Sequence, residues 1–153
     1  MSQPNFAGNI IVNLASLPDF LRKPILKKRM EEFFTLPPAE RLEIINNALD
    51  GGHTIPFPNL AKLFATWLEI IADLDEEKRS TMFSTYISEI LKSPQKLIPF
   101  NLDGILEIFS SLEDSKKQTI ANSIRKLVSE IPEDQKRRLF LIIPQNARAL
   151  LGI

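Results

Sequence analysis

The feature that most constrains this chain is a helix opening that returns every 19 residues. In that register units begin at Leu17, Leu36, Ile55, Leu74, Ser93, Leu112 and Ile131, with a truncated eighth at Leu150. Their second positions hold Pro18, Pro37, Pro56, Asp75, Pro94, Glu113 and Pro132. Such residues suit a first helical turn, where the missing N–H of proline is not needed and an acid complements the helix dipole. The residues just before the units are Ser16, Thr35, Thr54, Asp73, Lys92, Ser111 and Glu130. Five of those seven have side chains able to cap a helix N-terminus, which is the role the register assigns them. The stretch Leu74-Asp75-Glu76-Glu77-Lys78-Arg79, behind Asp73, is the fullest copy of the signal.

The apolar residues keep the same step. The ninth position holds Ile25, Ile44, Leu63, Met82, Asn101, Ile120 and Leu139, and the tenth Leu26, Ile45, Phe64, Phe83, Leu102, Ala121 and Phe140. The thirteenth adds Trp67, Tyr86, Ile105, Ile124 and Ile143. Offsets of one and three make one face of a 3.6-residue period. Any helix shows such a stripe; stripe and opening returning together mark a repeat. Nineteen residues fit one helix and a short turn. A coarser alternation is also present. The units at Leu17, Ile55 and Ser93 each carry a second proline, Pro24, Pro58 and Pro99. Pro24 and Pro99 are expected to break a helix interior and delay the main helix of their units. The units at Leu36, Leu74 and Leu112 lack that break and open on acids followed by cations. The repeat is then a pair of 38 residues, an A helix with a proline-rich start and a B helix with a charged start.

That length lies between the tetratricopeptide repeat, at about 34 residues, and the HEAT and armadillo range of about 40–47. A proline early in the A helix resembles HEAT, and the Trp, Leu-Gly, Tyr and late Pro of the tetratricopeptide signature are not matched. The resemblance is one of architecture and covers residues 17–153. It implies an all-α fold of about eight antiparallel helices, a right-handed HEAT-like solenoid or a compact helical-repeat bundle. Such units bury their apolar faces only by stacking, with capped ends. The chain therefore reads as a single domain, 1–153, with an N-terminal capping helix in 1–16, repeats over 17–143 and a C-terminal cap from Pro144 over 144–153. Gly51 or Gly52 is expected to take a left-handed position closing the helix from Pro37.

Composition narrows the function classes. The 19 cations balance the 19 acids, so no net field draws the protein to nucleic acid or an anionic membrane. Cysteine is absent, which removes disulfides, zinc–thiolate sites and a cysteine nucleophile by inventory and fits a reducing cytoplasm or a hot habitat. The first 14 residues contain no Lys or Arg, and Asn9 and Asn13 interrupt their apolar run, so they do not read as a secretory signal. No apolar run approaches the roughly 20 residues of a membrane span. These readings give a soluble, cytoplasmic, unprocessed chain with no membrane partner.

No catalytic motif stands out. The single His53 lies in the loop Asp50-Gly51-Gly52-His53-Thr54 without partners at metal-ligand spacing. Carboxylates such as Glu69 and Asp73 share a helix face, but no Glu-x-x-His pair accompanies them. Basic clusters occur at Arg22-Lys23, Lys27-Lys28-Arg29 and Lys136-Arg137-Arg138. They read as solvated faces, with phosphate or nucleic-acid contact as a weaker alternative. The sixth position carries Arg22, Arg41, Arg79, Lys117 and Lys136. Stacking would set Arg41, Arg79 and Lys117 in a row, beside small polar residues Asn46, Asn47, Ser84, Thr85, Asn122 and Ser123. Those nine residues are the expected partner surface of a non-enzymatic interaction or scaffold module, binding an extended peptide or a partner helix. Ion pairing of the cations within their own units is the competing structural reading. A second function class is an apolar small-molecule carrier, or an enzyme, with a cavity between helices lined by Trp67, Phe83 and Tyr86. No cofactor or metal is called for, a protein partner is, and self-association stays open.

Overall fold

The computed structural model describes residues 6–153. Among them the chain is all-helical, with α1 (Phe6–Ala15), α2 (Asp19–Phe33), α3 (Pro38–Gly52), α4 (Phe57–Asp73), α5 (Glu76–Lys92), a 3-10 turn (Pro94–Leu97), α6 (Leu102–Ser110), α7 (Asp114–Glu130), α8 (Glu133–Ile142) and α9 (Gln145–Leu151). The N-terminal cap expected in 1–16 corresponds to α1, and its first five residues lie outside the described part of the chain. The closing helix expected after Pro144 is α9.

Prolines set the boundaries. A proline disfavours helical backbone in the residue before it, so the chain leaves the helix ahead of Leu17, Leu36 and Ile55. Pro18, Pro37, Pro56, Pro132 and Pro144 are extended, with ψ between 136° and 156°, and the next residue starts the helix. Asp75 takes the same backbone without a proline, and its carboxylate accepts a 2.8 Å bond from the Lys78 N–H.

The residues expected to cap these N-termini do a different job. Asp73 is the last residue of α4, and the cap of α5 is Asp75, two places on. The hydroxyls of Ser16, Thr35 and Thr54 donate backwards to the carbonyls of Asn13 (2.9 Å), Glu32 (2.6 Å) and Gly51 (2.6 Å). They close the helix behind them, because the extended second position carries the chain out of reach of the next one.

Two further expectations are corrected. Pro24 does not delay its helix: α2 starts at Asp19 and runs through it. The lost N–H would have bonded the Phe20 carbonyl, in the first turn of a helix whose Phe20 is 76% exposed, where water replaces it cheaply. Pro58 falls in the first turn of α4 and is tolerated. Only around Pro99 does the main helix start late, behind the 3-10 turn. Neither Gly51 nor Gly52 is left-handed; that role falls to Gly152, at φ 75°. Gly52 is instead buried inside α3, where an added Cβ would stand 3.2 Å from the Phe100 ring.

Packing follows a rule of alternate neighbours: α1 lies on α3, α2 on α4, α3 on α5, α4 on α6 and α5 on α7, while α4 also meets α1 and α7. The main core gathers Leu26, Ile45, Leu63, Leu68, Ile71, Phe83 and Ile120 between these elements. A smaller cluster of Leu91, Val128 and Leu139 sits towards the C-terminus, and Ile124 touches both. No described helix is long and apolar enough to cross a membrane.

Gly104 marks the closest approach. A Cβ there would lie 2.3 Å from the Phe57 ring and 2.8 Å from the Asn101 amide nitrogen, whose partner oxygen caps α6. Gly104→Ala is therefore expected to destabilise by about 1–3 kcal/mol of overpacking, more than the helix propensity alanine gains. Chemical denaturation of Gly104→Ala, alone and with Phe57→Leu, checks this; the second change should restore most of the loss.

Candidate functional site

The sixth-position cations resolve first, since the partner surface was built on them. Arg79 is only 7% exposed. Its Nη1 donates to three carbonyls at the end of the preceding helix and its turn, Ile71 (3.2 Å), Ala72 (3.3 Å) and Leu74 (2.5 Å). Its Nη2 reaches the Glu76 carboxylate at 2.9 Å, and its Nε donates to Ser123 Oγ, on α7, at 2.8 Å. Ser123, 1% exposed, stands 2.9 Å from the same Glu76 oxygen. One guanidinium thus closes the end of α4, pairs with the first turn of α5 and ties α5 to α7.

The same device recurs at three other sixth positions, Arg22, Arg41 and Lys117. Arg22, 3% exposed, donates from Nε to the Leu14 carbonyl at 3.1 Å and from Nη2 to that of Leu17, and pairs with Asp19 at 2.5 Å. Arg41 donates to the Leu36 carbonyl at 2.8 Å. Lys117 reaches back to the Ser110 carbonyl and pairs with Asp114, both at 3.1 Å. A helix ends with carbonyls that lack intrahelical partners, and each cation supplies donors to them from the next helix. The planar, multi-donor guanidinium covers several carbonyls, as Arg22 and Arg79 do, where an ammonium serves fewer. The pairing with acids three residues back is the structural reading made from sequence; the bonds across the turn were not foreseen. The signal was present for the three arginines, because Arg22, Arg41 and Arg79 each stand five residues after the apolar first position whose carbonyl they bind.

The rest of the expected surface divides. Thr85, 9% exposed, bonds back to the Thr81 carbonyl at 2.6 Å. Arg79, Thr85 and Ser123 therefore face the helix stack. Asn46 and Asn47 are half-buried on α3, and Ser84 and Lys117 are partly exposed. Asn122 is exposed and accepts from Arg125. Ser84 borders a shallow groove of about 490 Å³ between α5 and α7, with Glu76, Glu77, Lys126 and Glu130 along its sides. His53 is exposed, edge-on to the Phe100 ring at 6.2 Å.

Sequence reasoning missed a surface on α2. Its buried stripe is Arg22, Leu26, Met30 and Phe33. The opposite side carries Phe20, 76% exposed, with Leu21 and Ile25 at about 40%. Around and beyond them stand the exposed Lys23, Pro24, Lys27 and Lys28. Lys27 and Lys28 form no ion pair with a described residue, while Lys23 lies 3.5 Å from Glu69 and Arg29 pairs with Glu32 at 3.1 Å. The main neighbours of α2 are α1 and α4, both on its inner side, so this apolar and basic face is bare.

The aromatics expected to line a cavity do meet. Trp67 stacks on Phe64 at 5.7 Å and meets Phe83 and Tyr86 edge-on at 6.1 and 5.5 Å. Beside them lie two cavities of about 390 and 260 Å³. Ile11, Leu26, Ala48, Trp67 and Tyr86 line both.

No known protein family, curated protein or solved structure matches the chain.

Burial works to raise the Glu76 carboxyl, but it is outweighed by the hydrogen bonds from Ser123 and Arg79, the Arg79 charge and a bond from Ser80, which together hold the carboxyl below its ordinary value. A lowered native value stabilises above the unfolded pKa and is lost as pH falls through the native one. Stability should therefore drop on acidification below about pH 4.5, and Glu76→Gln should flatten that drop. Arg79→Ala should cost about 3 kcal/mol or more by stranding buried carbonyls and Ser123, and Arg41→Ala nearer 1 kcal/mol. Urea titrations of the three variants at neutral and acid pH check both statements.

Proposed function

We propose that the chain is a non-enzymatic interaction module, a short HEAT-like right-handed solenoid of helix pairs, whose docking surface is the outer face of α2. Two features support the solenoid reading: the alternate-neighbour packing and the cation clamp that keeps the 19-residue step. One observation carries the functional reading, the bare apolar and basic side of the first repeat helix, with Phe20 standing out beside Lys27 and Lys28. An end helix of a stack has no following repeat to cover it, and natural arrays keep such faces polar. An exposed aromatic on a helix side that also carries lysines has the composition of an interface core with a charged rim. The matching partner is a protein segment with an apolar side and acidic flanks, an amphipathic helix being the simplest form.

A second reading keeps the partner on the B-helix side. The α5–α7 groove at Ser84, with Lys117 and Asn122 accessible further along α7, favours it. Its acidic walls would select a basic segment rather than an acidic one.

Site-specific photo-cross-linking in the source cells separates the two. A photoreactive residue at position 20 or 25 should give a discrete adduct that disappears on Lys27→Glu/Lys28→Glu and weakens with salt, while one at 84 or 122 should give none. Adducts only from 84 or 122 would move the surface to the B-helix side, and adducts from neither pair of positions would sink the interaction reading.

A further inference from the structure

The paired cavities around Trp67 and Tyr86 are separate from the α2 outer face and from the B-helix groove. The first is bounded by Ile10, Leu14, Met30, Phe33, Ile45 and Met82, with Arg29, Glu32 and Thr35 at its rim. The second runs on past Leu63, Phe64 and Ile90 to Phe100 and Ile105. Both are clefts partly open to solvent, and five residues line the two together. Their walls are mostly apolar, so they suit an apolar molecule better than water. Their volumes are in or near the range of small-molecule sites.

Two polar groups belong to the shared wall, the Trp67 indole N–H and the Tyr86 hydroxyl, and the second can both donate and accept. Tyr86 lines both cavities, and its hydroxyl makes no hydrogen bond to a described residue. Its ring is partly accessible because it borders the cavities; the phenol is largely surrounded by protein, and that burial pushes it up to about 12. It therefore stays protonated across the working range of pH and remains a donor. The hydroxyl is not sealed in protein but reaches the open space of the clefts. A bound molecule that carries an acceptor gains a hydrogen bond there, whereas a bare hydrocarbon of the same size gains none.

We propose that this double cavity is a binding site for a small apolar molecule carrying one uncharged hydrogen-bond acceptor, such as a ketone or ether, held with the acceptor against the Tyr86 hydroxyl. Trp67 and Leu26 give apolar contact in both lobes, and Ala48, the smallest of the five shared residues, leaves room in both that a longer side chain would take up. Charged ligands are disfavoured inside, since no cation or anion lines the second cavity and those of the first pair with each other at the rim.

The chain has one tryptophan, and it stands in the shared wall, so binding can be read directly. The probe is N-phenyl-1-naphthylamine, excited by energy transfer from Trp67, with acetophenone and isopropylbenzene as displacing molecules of equal size that differ in the carbonyl. Folded protein should bind the dye saturably, and both molecules should displace it. Tyr86→Phe, an isosteric change, should weaken acetophenone about 5–10-fold, the worth of one hydrogen bond, and leave isopropylbenzene unchanged. Ala48→Leu, which takes up that room, should abolish dye binding while near-ultraviolet circular dichroism and thermal midpoint stay at or above those of the parent. Absent dye binding by the folded parent, or equal effects of Tyr86→Phe on the two molecules, would overturn the proposal. Undiminished dye binding by a folded Ala48→Leu would do so too.

Discussion

Four of the helix junctions close in one way: a cation from the first turn of the following helix donates to carbonyls at the end of the helix behind or in the turn between. Arg22, Arg41, Arg79 and Lys117 occupy one place in the 19-residue step and reach back to the end of the preceding helix or the turn behind them. Unsatisfied buried carbonyls cost on the order of 1–3 kcal/mol each, so a chain with this many short helices cannot leave its junctions unmade. At Arg79 the clamp also binds Ser123 and Glu76 and so fixes how α5 sits on α7. Turn closure and helix stacking are the same event there.

This explains what was and was not legible in the sequence. The all-helical class, the apolar faces and the helix starts after proline followed from proline and periodicity, because both act locally, while about eight helices were expected and nine are described. The direction of the cap residues was misread for a geometric reason. Ser16, Thr35 and Thr54 are cap types, but a proline two places on forces an extended step that turns them towards the helix behind. Pro24 was read as a breaker because the rule assumes an interior position. Near the start of α2 it deprives only a solvent-side carbonyl. The row of Arg41, Arg79 and Lys117 was correctly found as a register and incompletely understood. Periodicity marks a recurrent place without saying whether it faces a partner or the next helix.

The α2 face was missed because apolar residues occupy both sides of that helix. Phe20, Leu21 and Ile25 look like core residues by type, and only packing shows that the stripe through Leu26, Met30 and Phe33 is the buried one. A wheel of α2 alone held the signal: Arg22 aligns with Leu26, Met30 and Phe33, and Phe20 lies off that line. The cavities were out of reach in another sense. Trp67 and Tyr86 could be named as neighbours from their shared thirteenth position. Missing volume is a property of how several helices fail to fill a space, and no single segment encodes it.

The two apolar clusters joined through Ile124 bear on how the molecule comes apart. Cooperative unfolding depends on each element losing its support when another leaves. Here α8 is anchored mainly through Leu139 to Leu91 and Val128, outside the large cluster that binds α1 to α7. The backbone link between the two is supplemented by the Arg138 bond to the Leu91 carbonyl, at 2.7 Å. α8 therefore depends on the smaller cluster, while α9 also rests on the main one through Leu151. Amide protons of α8 will report the opening of the smaller cluster, and those around Ile71 and Ile120 the melting of the whole.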